Sequence, residues 1–119
     1  MIIRKGGICL AALDPVVGKE IAKTRPVVVI SNDKNNEFSG TVTVLPITSK
    51  NLRKIYPFEV YLAKGTANLP KNSKVKADQI RTLDKSRLIK SIGGLEKEEI
   101  ERIEEAIKIH LALLTAISV

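Results

Sequence analysis

The sequence predicts a mainly β (α+β) domain in which short, curved antiparallel strands precede one C-terminal amphipathic helix. Three observations carry this. Short β-branched or alternating runs recur through the first two-thirds of the chain, each closed by Pro, Gly or Asn. One segment, Val27-Val28-Val29-Ile30, is apolar at every position, as a strand covered on both faces must be. Beyond Gly93-Gly94 the periodicity changes, and Ile100, Ile103, Ile107, Leu111 and Leu114 recur at spacings of three and four. Strands followed by a single helix imply a compact curved sheet or small barrel with the helix packed on it.

The elements follow in order. Ile8 to Leu13 is an apolar strand ended by the turn-forming Asp14-Pro15, and residues 14–24, with Gly18 and mixed charges, form a loop. Pro26 opens the central strand, and polar Asn32 to Gly40 reads as a hairpin connection to Thr41-Val-Thr-Val-Leu, which Pro46 closes. From Tyr56 to Leu62 the side chains alternate. Tyr56, Phe58, Val60 and Leu62 share one face, with Pro57 marking an edge or a bulge. Lys74 to Leu83 is expected as one further strand, bulged unless Ala77 and Ile80 both face inward. Gly93-Gly94 is expected to break the chain before a helix from Leu95 to about Thr115, with Glu98–Arg102 and Glu104–Lys108 as i,i+4 pairs. The apolar run from Leu111 to Val119 is wide for a one-sided helix and suits a subunit contact.

Composition narrows the function. The 119 residues fit one domain, residues 1–119, able to bury a core without staples. A single cysteine, Cys9, excludes an internal disulfide and multi-cysteine zinc patterns, and its apolar surroundings mark a buried, inert thiol. No apolar stretch reaches the ~18 residues of a membrane span, and the first residues lack the order of a secretory signal, so the expected location is cytoplasmic. The net charge of +7 is unevenly placed: residues 96–119 carry six Glu against three Lys/Arg, whereas residues 1–95 carry seventeen Lys/Arg against seven acids. A basic body with an acidic end points to a polyanionic partner. The only histidine, His110, lies in the apolar helix, which excludes a two-histidine acid/base mechanism. No His/Cys/Asp cluster has metal-ligand spacing, and no Gly-rich loop leads into a helix.

Three segments combine chemistry with position. Asp14 to Glu20 leads through Thr24 to Arg25, delivered at the mouth of the central strand, where Pro26 holds the arginine backbone extended. Pro46-Ile47-Thr48-Ser49-Lys50 sets two hydroxyls and a cation at a strand end. Lys76-Ala77-Asp78-Gln79-Ile80-Arg81 alternates polar and apolar residues. Together with Gly7-Ile8 through Pro15, Gly18 with Glu20, Thr24 through Asp33, and Asp78 through Leu88, they resemble the MazF/PemK family of toxin endoribonucleases from toxin–antitoxin pairs. The likeness runs from about residue 5 to residue 114 in family order. The chain departs from the pattern at Gly6-Gly7 and near Ala12, where the family often carries an acid.

The resemblance implies a small SH3-like (PemK) barrel and a homodimer. It also implies metal-independent, cofactor-free cleavage of single-stranded mRNA by the RNA's own 2′-hydroxyl, leaving a 2′,3′-cyclic phosphate and a 5′-hydroxyl. Arg25 would be the principal catalytic residue and Thr48 its partner, with Glu20 or Asp78 as the base. Gly18, Ser49, Phe58, Lys76, Gln79 and Arg81 would bind RNA. An acidic cognate antitoxin is the expected protein partner. A gyrase poison of the same fold and a non-catalytic RNA-binding module are the alternatives; the first has no use for an RNA pocket, and the second would leave RNA intact.

Overall fold

The computed structural model describes residues 1–113, so the expected helix residues Leu114 and Thr115 and the apolar tail to Val119 lie outside the described residues. Seven strands form one antiparallel, curled and open sheet. They are β1 (Gly7–Ala12), β2 (Thr24–Val29), β3 (Thr41–Thr48), β4 (Glu59–Leu62), β5 (Ser73–Lys76), β6 (Arg81–Asp84) and β7 (Leu88–Gly94). The order is β4-β5-β3-β2-β1-β7, with β6 pairing the first half of β3 and β5 its last residues. The long β3 therefore bends the sheet, serving two partners in turn along one edge.

Successive residues of β2 and β3 feed opposite faces, the period-two consequence of the pleat. Val28, Leu45 and Ile47 join Ile8, Leu62 and Ile103 in one cluster, beneath helix α2 (Lys97–Leu111). Val27, Val29, Val42 and Val44 join Cys9, Leu13 and Leu83 in the other, closed by Val16 and Ile21 from the 14–23 loop. Both faces of β2 are thus covered, as its unbroken apolar run requires. Burial pushes the Cys9 thiol up, in keeping with an inert side chain.

Six boundaries differ from the sequence reading. Pro46 does not close β3 but lies within it opposite Val27, and α2 ends at Leu111 with Ala112 as its left-handed cap. Asn32–Gly40 is not a plain hairpin connection: Asn32 caps a six-residue helix α1 (Asp33–Phe38) by accepting the Asn35 N–H. The expected Lys74–Leu83 strand is cut at Ala77–Gln79, a 3-10 turn that separates β5 from β6. The Tyr56–Leu62 strand begins only at Glu59. Gly93 and Gly94 end β7 rather than break the chain, and Gly93 is required there, since a Cβ would sit 2.5 Å from the Ala67 carbonyl oxygen. Helix α2 opens with a Glu96/Glu99 capping box. Glu104 pairs with Lys5 at 2.6 Å rather than with Lys108, and Glu98 closes no ion pair with Arg102 among the described residues.

Candidate active site

The 14–23 loop is fixed at both ends, which determines where Arg25 points. Leu13 N–H donates to the Lys23 carbonyl, and Lys23 N–H donates to the Asp14 carboxylate. Arg81 donates to the Leu13 carbonyl at 3.3 Å, and Arg87 to the carbonyls of Ala12 and Asp14. The side-chain amide of Gln79 holds the far side of the loop, accepting from Ile21 N–H at 2.7 Å and donating to the Lys19 carbonyl at 3.3 Å. Gln79 and Arg81, read from sequence as RNA contacts, therefore spend hydrogen bonds on holding the loop. Gly18 takes φ +58° at the loop's tip, a conformation that favours glycine.

Arg25 is half-buried at the start of β2. Its Nε donates to the Ala22 carbonyl at 3.2 Å, which anchors the guanidinium while its two terminal nitrogens make no hydrogen bond among the described residues. Arg25 and Thr48 each lie two residues beyond the Val27–Pro46 pair that ends the β2–β3 ladder, and Thr48 is not among the residues that line the depression at Arg25. The Thr48 hydroxyl accepts Lys50 N–H at 3.2 Å, which shapes the turn after β3. Arg25 and Ser49 line a depression of about 150 Å³ whose opposite wall is Lys71 and Ser73. Two cations and three hydroxyl residues, Thr24, Ser49 and Ser73, thus surround a space suited to a phosphodiester, the Ser73 hydroxyl already donating to the Lys71 carbonyl at 2.8 Å. Lys71 and Ser73 went unnoticed in the sequence, where nothing marks them; the pairing of β3 with β5 is what carries them there.

Four of the other predicted residues, Glu20, Asp78, Gln79 and Arg81, line a second depression of about 380 Å³ together with Lys19, whereas Gly18, Phe58 and Lys76 do not line it. Glu20 does not hold Arg25: its carboxylate accepts Val17 N–H within its own loop. Asp78 is differently placed. Its Oδ1 is shielded from solvent without a hydrogen-bond partner, 3.7 Å from Lys76 Nζ. Lys76 Nζ also donates to Glu59 at 2.8 Å. Burial alone would push the Lys76 ammonium down, but the Glu59 hydrogen bond and the nearby Asp78 and Glu59 charges outweigh it and hold it up. Phe58 lies half-buried between the Tyr56 ring, stacked at 5.4 Å, and His110 at 6.2 Å. The histidine thus packs at the end of α2 and lines neither depression.

The curled sheet thus gathers arginine, lysine and hydroxyls around one depression. The PemK-like, MazF-like toxins of type II toxin–antitoxin systems match residues 4–111, and the chain belongs to that family. Endoribonuclease MazF9 of Mycobacterium tuberculosis is 40% identical over 117 residues, covering 94% of this chain and 98% of that protein. The crystal structure of MazF from Deinococcus radiodurans superposes with a TM-score of 0.81 at 26% identity, covering 94% of this chain and 98% of that one. The MazE–MazF structure from the same organism matches with a TM-score of 0.76 at 25% identity, covering 96% and 99%.

Proposed function

We propose that this endoribonuclease toxin cleaves single-stranded mRNA by attack of the RNA's own 2′-hydroxyl on the adjacent phosphorus, with Arg25 and Thr48 at the reacting phosphate. The bond from the 2′-oxygen to phosphorus forms, the bond from phosphorus to the 5′-oxygen breaks, and the ends are a 2′,3′-cyclic phosphate and a 5′-hydroxyl. One proton leaves the 2′-hydroxyl and one reaches the departing 5′-oxygen. The internal nucleophile leaves the protein three tasks: alignment, proton transfer and stabilisation of charge on the equatorial oxygens.

The observation that carries this reading is the Arg25 guanidinium, tied at Nε and open at both terminal nitrogens, in one depression with Lys71, Ser49 and Ser73. A planar fork held at one edge is preorganised to grip two phosphate oxygens. Guanidinium resists deprotonation, so Arg25 stabilises charge rather than accepting the proton. Asp78 is the better base of the two carboxylates, because Glu20 is spent on its own loop whereas Asp78 lines the second depression with its carboxylate beside Lys76.

The protein is proposed to act as a cytoplasmic homodimer, silenced by an acidic antitoxin that competes for the same basic surface. No described helix is long and apolar enough to cross a membrane. The deciding experiment uses a short RNA containing one preferred site and its twin carrying a single 2′-deoxy sugar there, both in excess EDTA. The expected result is a cut RNA with cyclic phosphate ends and an intact twin. Cleavage of the deoxy twin, or strict dependence on added Mg²⁺, would overturn the mechanism. Intact RNA in both tubes, bound but uncut, would make the chain a binding module.

A further inference from the structure

The strongest unexplained feature lies behind the site. Glu59, at the start of β4, has a side chain only 1% exposed, yet it meets two ammonium groups: Lys74 Nζ at 2.9 Å and Lys76 Nζ at 2.8 Å. Register explains the convergence: Glu59 stands directly opposite Lys76 and diagonal to Lys74, so all three side chains leave the same face. The Lys74 side chain is itself only 4% exposed. Its other two protons go to the carbonyls of Asn51 at 2.9 Å and Lys54 at 3.1 Å. Tyr56 N–H completes the cluster by donating to Glu59 Oε1 at 3.0 Å. The 49–58 connection, which holds no helix or strand, is thus fastened at three backbone points to one buried ion cluster.

Such a cluster is a costly way to hold a fold. Apolar side chains of equal volume hold a core as well or better, since two charges must be stripped of water to form the pair. Its outputs are more informative. Lys74 pairs directly with Thr48 across β3 and β5, and Lys76 spans from Glu59 to within 3.7 Å of Asp78. One carboxylate therefore reaches both proposed halves of the site and the loop that continues from Ser49.

We infer that Glu59 is a positioning residue of this ribonuclease: through Lys74 it fixes the 49–58 loop, which continues from Ser49 at the phosphate depression, and with it the preference among cleavage sites, and through Lys76 it fixes the cation beside Asp78. The inference rests on the ribonuclease reading for its effect on cleavage but not for its effect on the loop. Displacing groups that align a substrate by about an ångström costs roughly 10²-fold in rate.

The test compares wild type with Glu59→Gln, which keeps shape but removes the charge, and with the double variant Glu59→Leu/Lys74→Met, which replaces the pair by apolar side chains. Two readouts are taken on each folded protein: the relative use of cleavage sites along one long RNA, and amide hydrogen exchange across residues 49–58. In both variants the preference for the best site over the next best should collapse by about tenfold or more, a shift of roughly 1.4 kcal/mol. Exchange should quicken in the loop while that of β1, β2 and β3 holds. The double variant separates positioning from stability, since it removes the buried pair together and leaves Lys76, 20% exposed, beside Asp78: it should melt above Glu59→Gln and still cut indiscriminately. A folded double variant with the wild-type cleavage pattern and unchanged loop exchange overturns the inference. So does a uniform loss of cutting at every site with the loop still protected. A wild-type protein that cuts no RNA overturns the ribonuclease reading instead, and the exchange readout still decides the loop.

Discussion

At the scale of single residues, the phosphate depression divides its work between a group held in place and a group that reaches in. Arg25 is half-buried and tethered, so Arg25→Ala should leave a folded protein with cleavage reduced at least ~10²-fold, the usual cost of a lost transition-state donor. Arg25→Lys should recover little, because a point charge cannot replace the fork. Undiminished cleavage by folded Arg25→Ala protein would sink the site. Lys71 is exposed on the opposite wall and carries its charge on a flexible stem. Lys71→Ala should therefore raise KM by roughly tenfold, in line with one charge-assisted hydrogen bond of about 1.5 kcal/mol, and alter kcat less. A KM left unchanged would place Lys71 outside the RNA path. Arg25 was legible in the sequence because Arg-Pro at the mouth of an apolar run fixes both a backbone and a direction. Lys71 was not, since its only qualification is a neighbour supplied by strand pairing. Glu59 was hidden for a different reason: its strand alternates, and an acid opposite the core side reads as solvated. The 49–58 loop covers that face and turns a surface position into a buried one.

The same cluster makes a prediction at the scale of elements, because it joins β4 to β5. Burial would push the Glu59 carboxyl up, but hydrogen bonds from Lys76, from Tyr56 N–H and from Lys74, with the Lys76 charge, outweigh it and hold it below the ordinary 4.5. A carboxyl lowered by folding contributes stability above its unfolded value and loses it as pH falls through the folded one. Lys76, held above its ordinary 10.5, contributes below that value and loses its share as pH rises through the folded one. Melting temperature should therefore fall in acid below about pH 4.5 and again in strong alkali. Glu59→Gln should lower it by an amount equivalent to about 3 kcal/mol near neutrality and flatten the acid limb. An acid limb of wild-type steepness in that variant would show that other carboxylates govern it. Elements with a strong local signal were readable in advance: β2 from its unbroken apolar run, β4 from its alternation, α2 from its stripe. The misread ones lack such a signal. Helix α1 is too short for a helical period to show, and depends on Asn36, buried and bonded to Ser31. The break between β5 and β6 exists because β3 bends and hands its edge from one strand to the other, which no local pattern in Lys74–Leu83 encodes.

Across the whole molecule the deciding property is the separation of charge. The acids of residues 96–119 sit largely on α2, whereas Arg25 and Lys71 line one depression and Lys19 and Arg81 the other, all outside that helix. A single-stranded polyanion laid across those depressions displaces counterions there. The logarithm of its binding constant should then fall linearly with the logarithm of salt, by about 0.7 per phosphate contacted. Three or four contacts give a slope of roughly −2 to −3, so affinity for an uncleavable 2′-deoxy RNA should drop more than tenfold between about 50 and 200 mM salt. Lys71→Ala should reduce the slope by about 0.7, and Glu104→Gln on α2, whose partner is Lys5 rather than a site residue, should leave it unchanged. A slope near zero, or an equal response to both substitutions, would mean that net charge attracts the RNA without these depressions receiving it. The basic excess was visible in the composition, but its direction was not. The sheet supplies that by placing the end of β3, the start of β2 and the start of β5 side by side, so that cations distant in sequence share one surface.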